Sequence, residues 1–213
     1  MTKLVQSAAM AAVAPPGPSY RPHLPPRLLT GGILSDAQLE SVIYAGEAHA
    51  SHLAGSYTVD ETYDHVVASP PDTSDAVRFR RGWFLGDGTG AGKGRQVAAI
   101  ILDNWLKGRR RALWISKSDK LIEDAERDWT AVGGYRSDIV PLSRFRQGAP
   151  IALEEGILFT TYATLRTLLQ RHRCAHATRC GSGNRPSAHA RNRPVPGGKL
   201  SQRSAVIGIV AIA

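Results

Sequence analysis

The stretch GWFLGDGTGAGKGRQVAAI, Gly82 to Ile100, constrains the fold of this chain more than any other. Its first four residues, GWFL, read as a buried strand. Its last residues read as an amphipathic helix, and between them every second residue from Gly86 to Gly94 is glycine. Strand, glycine turn and helix in that order are the plan of a phosphate-binding loop. Glycines let successive backbone N–H groups turn toward phosphate oxygens, the helix start adds its positive dipole end, and a lysine reaches the outer phosphates. Here Gly88, Gly90 and Gly92 supply the turn, Lys93 is the only cation inside it, and a helix opening at Gly94 or Arg95 supplies the N–H groups. The bland alternative is a glycine-rich turn with an incidental lysine, but the flanking strand and helix in register favour the phosphate site. Two positions depart from the usual G-x-x-x-x-G-K-S/T pattern. Its first glycine falls on Asp87, which reads as a turn-capping carboxylate. The hydroxyl residue that would hold Mg²⁺ falls on Gly94, which has no side chain.

The segments around this loop alternate between strand and helix. Ser35 or Asp36 caps a helix on which Leu39, Val42, Ile43 and Ala50 share a face. AGSYTVDETYDHVVASPPDTSDAV reads as a loop or short hairpin. After the glycine loop, Val97, Ile100, Ile101 and Trp105 form the sheet-facing stripe of the next helix, and Gly108 ends it. RALWIS is a second strand. Ser118 or Asp119 opens the following helix, with Leu121, Ile122, Ala125 and Trp129 on one face, and DIVPL and GILFTTY are further strands. ATLRTLLQ begins another helix. The alternation predicts an α/β fold, a parallel sheet with helices on both faces. The domain organisation expected is a disordered, Pro- and Ala-rich leader over 1–30, an α/β lobe over 31–170 and a basic tail over 171–213.

The chain's formal charge of +9 belongs to that tail. The last acidic residue is Glu155, and eight of the 27 Lys and Arg lie at or beyond Arg171, leaving 19 basic against 18 acidic residues before it. The lobe itself is thus nearly neutral and offers no broad basic face for nucleic acid. The tail's character changes abruptly in mid-helix. It reads either as a natural basic arm or as a reading frame lost near residue 171, and the abruptness favours the second. Its His172, Cys174, His176 and Cys180 lack the spacing of a zinc finger. Two cysteines make no disulfide framework, the N-terminus is a poor signal peptide, and no stretch has the length of a membrane span, so a cytoplasmic location is expected.

LSDAQLESVIYAGEAH, the segment from Gly82 through WISKSDKLIEDAERDW, and GILFTTYATL together resemble the N-terminal ATPase part of the strawberry notch family, over about residues 20–170. These are superfamily 2 helicase-like proteins, and the resemblance is to a truncated bacterial member. Glycine follows the loop lysine in that family, so Gly94 is a variant and not a defect. The resemblance implies a RecA-like P-loop NTPase lobe that binds ATP with Mg²⁺. In it Gly88, Gly90, Gly92, Lys93, Gly94 and Arg95 form the phosphate cradle, and Gln38 reads the adenine edge. It also implies nucleic-acid contacts by Ser116, Lys117 and Ser118 after the second strand and by Thr160 and Thr161 after the later one. Ordinary helix capping by Ser118 and Thr161 is the competing reading. Hydrolysis in the family needs an Asp-Glu-x-His strand and an arginine from a second lobe. Neither is found in these residues, and no catalytic residue is assigned. Asp103 and Asp138 are the remaining carboxylates to weigh, and Asp103 lies too far along the loop's own helix to share the phosphate site. The expectation is an incomplete, marginally stable ATP-binding lobe without competent hydrolysis. The alternative is a short nucleic-acid- or partner-binding protein acting through its basic tail.

Overall fold

The computed structural model describes residues 17–60, 65–146 and 151–167, together with the backbone of 208–211. The chain divides into two compact units, residues 1–96 and 97–213.

In the first unit, regular structure begins earlier than the proline-rich sequence suggests. A short helix α1 (Pro26–Thr30) opens on proline at its first positions, where the missing N–H is no loss. Leu24 and Leu28 are buried, and Ser19 bonds to the Glu47 carboxylate through both its hydroxyl and its backbone N–H. Residues 17–30 are therefore packed where disorder was expected, with Leu24 between the prolines and Leu28 after them both enclosed. Residues 1–16 lie outside the described residues. Helix α2 (Asp36–Ala50) starts at Ser35 in a full capping box: the Ser35 hydroxyl accepts from the Gln38 N–H, and the Gln38 side chain accepts from the Ser35 N–H. Its buried stripe is Val42, Ala45 and Gly46, and Ala50, expected on that face, is exposed. The shift follows from Tyr20: a Cβ on Gly46 would lie 2.0 Å from its ring, so the helix presents its smallest residues to that ring. Strands β1 (Ser56–Val59) and β2 (Val66–Ser69) form the antiparallel hairpin, registered Ser56 to Ser69.

GWFL is the largest departure from the sequence reading. Residues 82–85 form no strand, Trp83 is 40% exposed and Phe84 88%. A buried strand needs a neighbouring strand to take its N–H and C=O groups, and among the described residues these have none. Trp83 instead stacks on Tyr44 of α2, ring centroids 5.7 Å apart. The apolar run was expected to be buried and is not, because pairing and not composition makes a strand.

Helix α3 (Lys93–Leu106) contributes its first turn to the first unit and the remainder to the second. Residues 96–103 are all buried, so this helix is enclosed on every side and not only along the predicted stripe. The Gly108 N–H bonds to the Trp105 carbonyl where the helix ends. The second unit is a parallel sheet with flanking helices. Its strands are β3 (Arg111–Ser116), β4 (Ile139–Pro141), β5 (Gly156–Thr161) and β6 (Gly208–Ala211), ordered β4-β5-β3-β6. Strand β3 runs in register with β5 from Arg111–Gly156 to Ser116–Thr161. Trp114, Ile115, Ile157 and Phe159 are buried in the sheet, as their continuous apolar runs require of parallel strands.

Ser118 caps a short 3₁₀ turn (Asp119–Leu121) that leads into α4 (Ile122–Val132), whose buried residues are Ala125, Trp129 and Val132. Leu121, expected on that face, is 39% exposed because it lies in the 3₁₀ turn and not in the helix. Trp129 meets Trp105 of α3, centroids 5.5 Å apart. Residues 162–167 are helical. The cysteines and histidines of the tail, and residues 171–207 generally, lie outside the described residues. Strand β6 lies in the segment expected to be a basic tail: Gly208–Ala211 pairs parallel with Ala112–Ile115, on the edge of β3 that β5 leaves open. Architecture, sheet direction and loop-to-helix order are those of a RecA-like P-loop lobe.

Candidate functional site: the glycine loop before helix α3

Gly90 and Gly92 have φ of +85° and +74°, a left-handed backbone that side-chain-bearing residues rarely adopt. Two such turns within three residues fold the chain back sharply and deliver it to the start of α3 at Lys93, one residue before the expected start. A Cβ at Gly88 or Gly90 would meet nothing within 4 Å, so there the loop backbone faces open space that a ligand can approach closely. A Cβ at Gly92 would lie 2.4 Å from the Gln38 side-chain nitrogen. Conformation is thus what requires glycine at 92, while a side chain there would also displace the end of Gln38.

The N–H groups of Arg95 and Gln96 both bond back to the Gly92 carbonyl, at 3.0 and 3.2 Å. Those of Lys93 and Gly94 have no backbone acceptor among the described residues, and they are the donors that a helix start offers to an anion. The Lys93 ammonium donates to the carbonyls of Asp87 (2.9 Å) and Gly88 (3.1 Å), which places the charge over the loop itself. Arg95 turns elsewhere, its guanidinium donating to the Ile33 carbonyl at 3.4 Å. These residues fit an anionic phosphate group. They do not fit a protein-held Mg²⁺: Gly94 has no ligand atom, and among the described residues no three acidic, His or Cys side chains cluster.

Gln38 lies against the loop. Its Nε2 donates to the Ala91 carbonyl at 3.2 Å while its Oε1 serves the capping box of α2. Asp87 accepts a 2.7 Å hydrogen bond from Gln96 Nε2, so the described partner of its carboxylate is a side chain of α3 and not the turn backbone. Gln96 itself went unnoticed in the sequence. It is 1% exposed, and its signal was a polar residue placed among the apolar positions of α3.

The proposed nucleic-acid residues are grouped at the carboxyl ends of β3 and β5, where Ser116 and Thr161 are register partners. Ser116, Thr160 and Thr161 are each only 3% exposed, and Lys117 is exposed. Thr161 caps the helical residues 162–167, its hydroxyl accepting from the Thr164 N–H at 3.2 Å. Ser118 accepts from the Lys120 N–H at 3.4 Å. Both capping readings are thus realised in the structure.

The remaining carboxylates are engaged. Asp103 is 1% exposed and pairs with Lys107 at 3.1 Å. Asp138 accepts from the Trp129 indole N–H at 2.8 Å and the Tyr135 N–H at 2.9 Å. The basic run after α3 is tied down too: Arg109 donates to the Asn104 side chain at 2.7 Å, and Arg110 pairs with Glu155 at 3.2 Å. No helix among the described residues is long and apolar enough to cross a membrane.

Residues 1–181 match the model of the family described as P-loop containing NTP hydrolase pore-1. The chain is 38% identical over 168 residues to Protein strawberry notch of Drosophila melanogaster, covering 76% of this chain and 9% of that protein. It is 35% identical over 166 residues to Protein FORGETTER 1 of Arabidopsis thaliana, covering 76% and 11%. To Protein strawberry notch homolog 1 of Homo sapiens it is 31% identical over 167 residues, covering 76% and 10%. The chain thus spans about a tenth of the length of these relatives. No solved structure gives a significant match. With the glycine loop, the helix it opens and the parallel sheet in place, the chain belongs to the strawberry notch family of P-loop NTP hydrolase domains.

Proposed function

We propose that this chain binds ATP at the loop of residues 88–95 and does not hydrolyse it on its own. The observation that carries the reading is the geometry just before α3: two left-handed glycines, two helix-start N–H groups and one lysine ammonium converge on a single stretch of open backbone. In binding, Lys93 exchanges its loop carbonyls for the outer phosphate oxygens, and the N–H groups of Lys93 and Gly94 with the dipole of α3 hold the inner ones. Gln38 is the residue we assign to adenine. Each end of its amide has capacity for one hydrogen bond beyond those it makes in the loop and the capping box. Mg²⁺ enters with the nucleotide, held by phosphate and water.

The absence of hydrolysis rests on carboxylates. Within these 213 residues no Asp or Glu follows Glu155, and Asp103 and Asp138 are committed to Lys107 and to Trp129. A general base or metal-holding pair for attack on the γ-phosphate is therefore not supplied from the position the family implies. We further assign nucleic-acid contact of the helicase type to the carboxyl ends of β3 and β5. Lys117 and Ser118 are outermost there, while Ser116, Thr160 and Thr161 shape the strand ends from beneath.

Equilibrium binding of ATP to the full chain and to Lys93→Ala tests the site. Loss of a charged hydrogen-bond donor to phosphate corresponds to about 1.5–3 kcal/mol, or roughly 10- to 100-fold in affinity. Equal affinity of the two proteins would remove the loop from the account.

A further inference from the structure

Gln96 is a buried primary amide one turn into α3, and burying such a group is costly wherever it lacks a hydrogen-bond partner. Its Oε1 is buried with no hydrogen-bond partner among the described residues, and its Nε2 donates to Asp87 Oδ2 at 2.7 Å and to the Ala91 carbonyl at 3.4 Å. Both are acceptors, so only the nitrogen end of the amide can face them, and the orientation of the side chain is determined by the site. The same Ala91 carbonyl is held from another direction by Gln38 Nε2. Asp87, at the entrance to the loop, is fastened to the first turn of α3 twice: by its carboxylate to Gln96 and by its carbonyl to the Lys93 ammonium.

These two fastenings are not equivalent once an anion arrives. The lysine is the group a phosphate recruits, and its bond to the Asp87 carbonyl is the one that yields. The Asp87–Gln96 bond is then the tie that remains between the loop entrance and the helix. We propose that Asp87 and Gln96 form a clamp that holds the glycine loop in its binding shape, with Gln96 a positioning residue for the nucleotide. This gives Asp87, standing where the common loop pattern has glycine, a reason to be a carboxylate although a triphosphate repels it. A loop containing five glycines between 86 and 94 loses more backbone freedom on ordering than most. A clamp that orders it beforehand lowers what binding must supply. The inference rests on the nucleotide-binding reading above.

The test uses the full chain with Asp87→Asn, Asp87→Ala and Gln96→Glu, reading amide hydrogen exchange over residues 87–92 without nucleotide and ATP affinity separately. Asp87 is exposed, so its variants leave the core intact. Asp87→Asn removes the charge but keeps an oxygen for Gln96, whereas Asp87→Ala removes both. The clamp predicts faster loop exchange in Asp87→Ala than in Asp87→Asn, and about tenfold weaker ATP binding. Gln96→Glu sets two carboxylates against each other and gives the same loss. Asp87→Asn/Gln96→Glu restores a donor–acceptor pair in the opposite sense and recovers both readouts. Identical exchange and affinity in Asp87→Ala and Asp87→Asn overturn the clamp, as does failure of the double variant to recover. If the unaltered chain binds no ATP, the functional reading fails while the exchange data still decide whether the clamp orders the loop.

Discussion

Asp138 separates a structural carboxylate from a catalytic one. Its Oδ2 accepts from the indole N–H of Trp129, which is 1% exposed, and from the Tyr135 N–H. Asp138→Ala removes both acceptor bonds and leaves the indole N–H of a buried side chain with no partner. Each hydrogen bond to a charged group contributes about 1.5–3 kcal/mol, and an orphaned buried donor alone costs about 1–3 kcal/mol. The two bonds share one oxygen and are not additive, and Tyr135 is exposed, so its N–H recovers water. The expected loss is therefore about 2–3 kcal/mol. With a urea slope of about 2 kcal/mol per molar, the midpoint falls by about 1–1.5 M. Asp138→Asn keeps an oxygen toward the indole and should lose about half as much. Tryptophan fluorescence, to which Trp129 contributes as one of four indoles, follows the transition, and Trp129→Phe in both backgrounds isolates the indole–carboxylate coupling. ATP affinity measured below the transition should be unchanged in Asp138→Ala. Unchanged urea midpoints in Asp138→Ala would refute the reasoning, as would loss of nucleotide binding at full fold, since that would place Asp138 in the site.

Gly46→Ala puts a methyl group 2.0 Å from the Tyr20 ring and should destabilise the chain by about 1–3 kcal/mol in thermal or urea melts, with partial rescue by Tyr20→Ala; equal stability would mean that residues 17–30 do not pack on α2. Ser35→Ala removes one half of the capping box and should lower stability by about 1 kcal/mol, read by circular dichroism during denaturation. Because Gln38 belongs to both the box and the loop, the same variant should also weaken ATP binding measurably.

The lobe was legible where structure is local. Ser35 announced its helix by the spacing to Gln38, RALWIS and GILFTT announced parallel strands by continuous apolar residues, and the glycine loop announced itself by composition and position. The misreadings concern partners that no local pattern carries. GWFL has the composition of a buried strand, yet it lies exposed because pairing depends on residues distant in sequence. Leu24 and Leu28 were masked by the proline-rich run, and the approach of Tyr20 to Gly46 that accompanies their burial spans 26 positions. Gln96 escaped notice because a polar residue within an apolar stripe reads as an exception, when its acceptors Asp87 and Ala91 lie across a turn that only the folded loop brings together.

The account's central claim is that the loop holds a triphosphate that this chain leaves intact. The direct measurement is the chemical identity of radiolabelled nucleotide retained by the purified chain after incubation with Mg²⁺-ATP. The account predicts retained label recovered as ATP, and none retained by Lys93→Ala. Recovery as ADP and phosphate, with the conversion abolished in Lys93→Ala, would contradict it.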